Sequence, residues 1–172
     1  MTENIDKQAE LVVKLLCKHG KKVSCAESCT GGLISAAITS VSGSSEVFDM
    51  GMCSYANIIK QEKLNVPKEY LENFGAVSEQ VARAMAEGIS EAANSDFSVS
   101  TTGIAGPMGG TSDKPVGTVW IGVYSKNNGS KAEKFVFSTE NCPPGITERE
   151  FIRQQAVFTA LKILETEIET VL

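Results

Sequence analysis

The order of periodicities along the chain limits the fold more than any single residue does. From about Asn4 to Lys18, residues Ala9, Val12, Val13, Leu15 and Leu16 fall on one helical stripe, and Gly20 stops it. Lys22 to Ala26 reads as a short buried strand, and a second helix is expected from near Thr30, carrying Leu33, Ile34, Ala37 and Ile38. "SVSGSSEVF" is a loop, Val47 to Tyr55 a strand, and Ala56 to Leu64 a helix. Pro67 opens a short helical segment that Gly75 closes. Ser78 caps a helix that runs to about Asn94.

"DFSVSTTGIAGPMGG" then reads as a strand entering a glycine-rich loop. Val116 to Tyr124 and Ala132 to Ser138 are expected to pair around the turn "KNNGSK". "NCPPGIT" is irregular. Thr147 caps a last helix through about Val171, with Phe151, Ile152, Val157, Phe158, Leu161, Ile163, Leu164 and Ile168 for packing. Helices and strands alternate early and one hairpin comes late. That order predicts an α/β fold, a three-layer α/β/α domain with a mixed β-sheet, in which residues 1–172 form a single domain.

The 172 residues are enough for one domain with a sizeable core. A formal net charge of -5 leaves no positive excess to neutralise phosphates, so no nucleic acid is expected as a partner. Cys17, Cys25, Cys29, Cys53 and Cys142 are odd in number and show no C-x-x-C spacing. With no secretory signal at the N-terminus, reduced thiols and a cytoplasmic location are expected. The single histidine, His19, precedes Gly20 and reads as a helix-end residue, so no metal site is expected. No apolar run approaches the ~20 residues of a membrane span.

Four clusters carry candidate chemistry. In "CAESCTGGLISAAI" a strand hands over to a helix at Ser28, with Glu27 before it and Thr30, Gly31 and Gly32 after it. Unpaired N–H groups and the helix dipole favour negative charge at such a place, either a bound anion or an oxyanion beside an attacking hydroxyl. A plain helix cap is the competing explanation. In "YANIIK", Asn57 and Lys60 share a helix face, and a partly buried Lys60 can serve a serine as its base, with Tyr55 relaying a proton or orienting substrate. An ordinary solvated lysine is the alternative.

The third cluster is "TTGIAGPMGGTSDKPVG", in which Thr102 ends a strand and Gly103, Gly106, Gly109 and Gly110 shape a long loop. It contains no P-loop pattern. Three clusters therefore lie at strand exits, where open α/β sheets bind ligands. The fourth is "EREFIRQQ", in which Arg149 and Arg153 share a helix face and can hold a phosphate or carboxylate, or pair with Glu148 and Glu150.

Together "AESCTGG", "GMCSYANIIKQEKLNV", "GAVSEQVARAMAEG", "TGIAGPMGG", "KPVGTVWIGV" and "REFIRQQA" resemble the CinA C-terminal domain family, also known as PncC-type nicotinamide mononucleotide deamidases. The matching pieces occur in the family's order, from about Leu11 to Leu164, and the chain looks like the stand-alone form of the domain. The resemblance implies hydrolysis of the carboxamide of nicotinamide mononucleotide to nicotinate mononucleotide and ammonia, within pyridine nucleotide salvage and NAD metabolism. It implies Ser28 as nucleophile, Lys60 and Tyr55 as the proton-transfer pair, and no cofactor.

Backbone N–H groups near Thr30 and Gly31 are expected to hold the oxyanion. Glu27, Thr30, Gly31, Gly32, Asn57, Thr102, Gly103, Gly106 and Arg149 are expected around the substrate, with Arg149 meeting its phosphate. The partners expected are a small-molecule substrate and further copies of the chain in a homo-oligomer, with no membrane. The family usually has an aliphatic residue at the position of Cys29 and often Ser at that of Thr102. Two other readings stand beside this one: a catalytically idle nucleotide-binding or interaction module linked to competence or DNA damage, and a hydrolase that uses Cys29.

Overall fold

The computed structural model describes residues 1–172. Its elements are α1 (Thr2–His19), β1 (Val23–Glu27), α2 (Leu33–Thr39), β2 (Phe48–Cys53), α3 (Asn57–Leu64), α4 (Lys68–Phe74), α5 (Glu79–Ala93), β3 (Phe97–Gly103), β4 (Thr118–Ser125), β5 (Gly129–Val136) and α6 (Glu148–Val171). One five-stranded sheet has the order β2-β1-β3-β4-β5. β1 runs parallel to both β2 and β3, while β3–β4 and β4–β5 are antiparallel. The sheet is mixed and has helices on both sides, as the order of periodicities predicts. No helix is long and apolar enough to cross a membrane.

The caps lie where the sequence puts them. Gly20 takes the left-handed conformation (φ 59°) after α1, the Ser78 hydroxyl accepts from the N–H of Val81, and that of Thr147 accepts from Glu150. The start of α2 differs from expectation by one turn. Gly31 and Gly32 have φ of 61° and 95°, outside the right-handed helical region, so the helix begins only at Leu33.

Strand alternation sorts the central residues onto two faces. On the front, under α1, α2 and α6, lie Val23 and Cys25 of β1, Phe97 and Val99 of β3, and Val119, Ile121 and Val123 of β4. They join Val12, Leu16, Ile152, Leu161 and Leu164 in one apolar cluster of 25 buried residues. Full burial of each large aliphatic side chain stabilises the fold by about 1.5–3 kcal/mol.

The back, under α3, α4 and α5, is filled differently. Its buried apolar cluster has six members, among them Ala26, Val81 and Met85. The other central positions are small or hydroxylic. Ser98 donates to the Ala86 carbonyl (2.5 Å), Ser100 to that of Ala82 (2.6 Å) and Thr102 to that of Ala76 (2.7 Å). A Cβ on Gly122 would stand 2.5 Å from the Ala82 carbonyl oxygen, so glycine lets α5 approach the sheet closely.

Candidate active site

The parallel strands β2, β1 and β3 all end at one pole of the sheet, and a cleft of about 270 Å³ opens there. Each strand exit contributes to its wall: Ser28 and Cys29 after β1, Tyr55, Asn57 and Lys60 after β2, and Thr102 to Gly106 with Met108 and Gly109 after β3. Ala76, Val77 and Arg149 complete it. Larger hollows of about 660 Å³ and 420 Å³ lie elsewhere, against β5 and α6 and between α1, α2 and α6, but neither contains Ser28 or Lys60.

At the base of the cleft is a serine–lysine pair. Ser28 prolongs β1, its N–H donating to the Thr101 carbonyl (2.9 Å). Lys60 projects from α3 and is 1% exposed. Its Nζ lies 3.2 Å from Ser28 Oγ, 2.8 Å from the Ser54 carbonyl oxygen and 3.1 Å from that of Tyr55. Burial pushes the ammonium below its usual value of 10.5, and no carboxylate pairs with it.

The arrangement of acceptors decides what a neutral Lys60 can do. An amine has two hydrogens and one lone pair. Two backbone carbonyls accept only, so they take the two hydrogens, and the lone pair is left for the Ser28 hydroxyl. Cys29 is the competing nucleophile by sequence. Burial pushes its thiol up to about 11, so little thiolate exists near neutral pH.

Glu27 does not reach the cleft. Adjacent residues of a strand face opposite sides, so Ser28 faces the back and Glu27 the front. The Glu27 carboxylate is fully buried and accepts from the N–H groups of Gly32 (3.0 Å), Ile34 (3.1 Å) and Ser35 (2.9 Å) and from the Ser35 hydroxyl (2.7 Å). It fills the anion-attracting start of α2, which sequence reasoning leaves open for a ligand.

Thr30 is also buried, its hydroxyl bonded to that of Thr101 (2.7 Å), and Gly31 and Gly32 shape the turn without lining the cleft. Of the four expected neighbours of Ser28, none has a side chain in the cleft wall. The N–H groups of Cys29, Thr30 and Gly31 make no hydrogen bond to another residue, and of these three residues only Cys29 lines the cleft.

Tyr55 lines the cleft mouth and is 65% exposed. Lys60 meets its carbonyl rather than its hydroxyl, which instead accepts from Arg149 Nη2 (3.2 Å). The proton partnership expected between the Tyr55 hydroxyl and Lys60 is not formed. Arg149 also donates to the Gly106 carbonyl (2.6 Å), so it spans the mouth from α6 to both walls. Asn57, Thr102, Gly103 and Gly106 stand in the wall. Neither Arg149 nor Arg153 forms an ion pair, although Glu148 and Glu150 flank Arg149, whereas Arg83 pairs with Glu79 (3.9 Å).

Met108 and the 76–77 turn were missed from sequence. Met108 is 85% exposed, and its only signal is its place in the glycine-rich loop. No three His, Cys, Asp or Glu side chains converge to form a cation site.

A mixed α/β/α fold with a buried serine–lysine pair at its parallel strand exits defines the structural class. The chain belongs to the CinA C-terminal domain family, whose profile matches residues 5–168. It is 49% identical over 140 residues to the nicotinamide-nucleotide amidohydrolase PncC of Enterobacter agglomerans, a match covering 81% of this chain and 80% of that protein. It is 44% identical over 163 residues to a CinA-like protein of Endomicrobium trichonymphae, covering 95% of this chain but 36% of the relative. The chain spans about a third of the length of this and other long relatives.

Among solved structures, the competence/damage inducible protein CihA from Agrobacterium tumefaciens superposes with a TM-score of 0.89 at 38% identity, covering 96% of each chain. A CinA superfamily protein from Escherichia coli superposes with a TM-score of 0.85 at 29% identity, covering 94% of this chain and 90% of the other.

Proposed function

We propose that this protein is an amidohydrolase that converts nicotinamide mononucleotide to nicotinate mononucleotide and ammonia, with Ser28 as nucleophile and Lys60 as base. The observation that carries the reading is the Ser28–Lys60 contact of 3.2 Å, with the amine buried and its other two positions taken by carbonyls. The 49% identity to a nicotinamide-nucleotide amidohydrolase along 81% of the chain supports the substrate class.

In this mechanism Ser28 Oγ attacks the carboxamide carbon as its proton passes to Lys60. The carbonyl oxygen becomes an oxyanion beside the N–H of Cys29, the residue of the 29–31 turn that lines the cleft. Lys60 returns the proton to the amide nitrogen, the C–N bond breaks and ammonia leaves an acyl ester on Ser28. Water then attacks the ester and gives one proton to Lys60, which passes it to Ser28 Oγ as the ester C–O bond breaks; the acid released loses its remaining proton to solvent and leaves as the carboxylate. Tyr55 contributes a carbonyl to Lys60 and a ring to the cleft mouth. Arg149 has no carboxylate partner and offers its remaining N–H groups to the substrate's phosphate.

The test is ammonia release from nicotinamide mononucleotide, nicotinamide riboside, nicotinamide and the dinucleotide. Release from the mononucleotide above all others is expected. No release from any of the four would sink the proposal.

A further inference from the structure

Two segments far apart in sequence share the cleft wall. The turn between α4 and α5 puts Ala76 and Val77 there, and the glycine-rich loop between β3 and β4 puts Gly106, Met108 and Gly109 there.

The first segment has little behind it. Val77 lines the cleft and also a second hollow of about 280 Å³, bounded by Phe74, Lys114 and Trp120. Close packing therefore does not back the turn. Its carbonyls are held one by one instead. That of Ala76 accepts from Thr102 Oγ1 (2.7 Å), that of Gly75 from Ser78 Oγ (2.8 Å) and that of Phe74 from Lys114 Nζ (2.9 Å). Thr102 belongs to the sheet and Ser78 to the turn itself. Lys114 is the one that comes from the glycine-rich loop.

Lys114 suits its place. Phe74 ends α4, where the carbonyls lack partners within the helix and the dipole favours a cation. No carboxylate pairs with Lys114, and it does not line the cleft.

The loop is built to transmit this hold. At its base the Ile104 N–H donates to the Thr118 carbonyl and the Gly117 N–H to that of Ile104, both at 2.8 Å. At its tip the Thr111 N–H donates to the Lys114 carbonyl (2.9 Å), and the Lys114 N–H to Thr111 Oγ1 (3.1 Å). Between base and tip the two limbs touch. A Cβ on Gly106 would stand 2.6 Å from Val116 Cγ1, and one on Gly110 would stand 2.8 Å from Val116 N. The limb that carries Lys114 therefore cannot shift without the limb that carries Gly106 and Met108.

We propose that Lys114 is a positioning residue that ties the glycine-rich loop to the end of α4 and so holds two walls of the cleft in place for substrate. Walls already in place need not be ordered when substrate binds, so the tie acts on affinity rather than on the chemical step. The proposal rests on the amidohydrolase reading and extends it to a residue outside the cleft.

Two readouts test it on the full chain of the wild type, Lys114→Met and Lys114→Arg. The first is steady-state ammonia release from nicotinamide mononucleotide and from nicotinamide riboside. The second needs no substrate. It is the rate of chymotrypsin cleavage after Phe74 and after Met108, one on each tied segment, with the sites located by mass spectrometry.

Lys114→Met is expected to raise KM roughly 3- to 10-fold, the scale of one hydrogen bond, and by the same factor on both substrates. Its kcat should stay within about twofold of wild type, because Ser28 and Lys60 are untouched. Cleavage after Phe74 and Met108 should quicken several-fold while cleavage elsewhere keeps its wild-type rate, since proteolysis follows the population of the locally opened form. Lys114→Arg, which keeps the charge and the donors, should restore both KM and resistance to cleavage.

An unchanged KM in Lys114→Met would overturn the proposal. So would a KM raised for the mononucleotide alone, which would make Lys114 a phosphate contact, or a lowered kcat at unchanged KM. Cleavage after Phe74 and Met108 at the wild-type rate would show that Lys114 ties nothing. If the wild type releases no ammonia from either substrate, the amidohydrolase reading fails, and cleavage still decides whether Lys114 joins the two segments.

Discussion

The front of the sheet presents Val23, Cys25, Phe97, Val99, Val119, Ile121 and Val123 to three helices, and the back presents Ser24, Ala26, Ser98, Ser100, Thr102 and Gly122 to one main helix, α5. The front is held by apolar area, which is non-directional and tolerates small shifts. The back is held by hydroxyls that each name one carbonyl on α5 or just before it. A helix fixed by directed bonds cannot slide without breaking them. The cleft lies on the back, where Thr102 both bonds to Ala76 and lines its wall. The difference separates two tasks: the front supplies stability, and the back supplies the placement of the residues around Ser28.

The largest expected effect tests that separation at its centre. Ser28→Ala should lower amide hydrolysis by roughly 10⁴-fold or more while the melting temperature barely moves. A collapse in melting temperature would show that the back carries stability after all. In the wild type, kcat should rise with pH as Lys60 loses its proton, with the midpoint below 10.5 because burial favours the neutral amine. A kcat that falls with pH through that range would assign Lys60 a role as a permanent cation.

On the front, Leu161→Ala removes a fully buried side chain and should cost about 2–5 kcal/mol in denaturant unfolding. Below its melting point the variant should keep its kcat. A large loss of kcat would mean that front packing also sets the site.

Arg149 belongs to a front helix yet reaches the cleft mouth. Arg149→Ala should raise KM for the mononucleotide by roughly 10- to 100-fold, the scale of charge-assisted hydrogen bonds. It should change the riboside reaction little. Equal losses on both substrates would leave Arg149 as a brace between Tyr55 and Gly106.

The smallest effect is the sharpest test of the back. Ser100→Ala removes one hydroxyl–carbonyl bond and should cost about 0.5–1.5 kcal/mol. Gly122→Ala, which forces a methyl group against the Ala82 carbonyl, should cost more, about 1–3 kcal/mol. Both should lower kcat beyond what their stability predicts, in contrast to Leu161→Ala. If kcat is unchanged in both, directed bonding on the back does not position the site.

Most of the fold is legible in the sequence because it rests on local signals. Gly20, Ser78 and Thr147 mark helix ends by chemistry confined to one turn, and the hairpin is marked by "KNNGSK". The gathering of Ser28, Lys60 and Thr102 follows from their places at strand exits. What sequence reading misjudged depends on facing and on long-range partners. Glu27 and Ser28 are neighbours in the chain, and only strand alternation shows that they serve opposite faces. Tyr55 lies close to Lys60 in sequence, but its hydroxyl answers to Arg149, 94 residues away. Arg149 and Arg153 look equivalent on one helix face, yet one bridges the cleft mouth and the other grips the turn behind the nucleophile through the Cys29 and Thr30 carbonyls.

The alternation of β1 also governs which changes in chain length the domain can absorb. Deleting or inserting one residue between Val23 and Glu27 would exchange the two faces for everything that follows in the strand. The carboxylate would leave the start of α2 as the hydroxyl turned from the lysine, so one reading-frame-preserving codon would undo a helix cap and a nucleophile together. A two-residue insertion restores the facing but carries Ser28 about 6.6 Å further along the strand direction, beyond the reach of Lys60. The spacing from Val23 to Ser28 is therefore expected to resist insertions and deletions more strictly than substitutions, whereas the exposed loop at 139–146 should accommodate them freely.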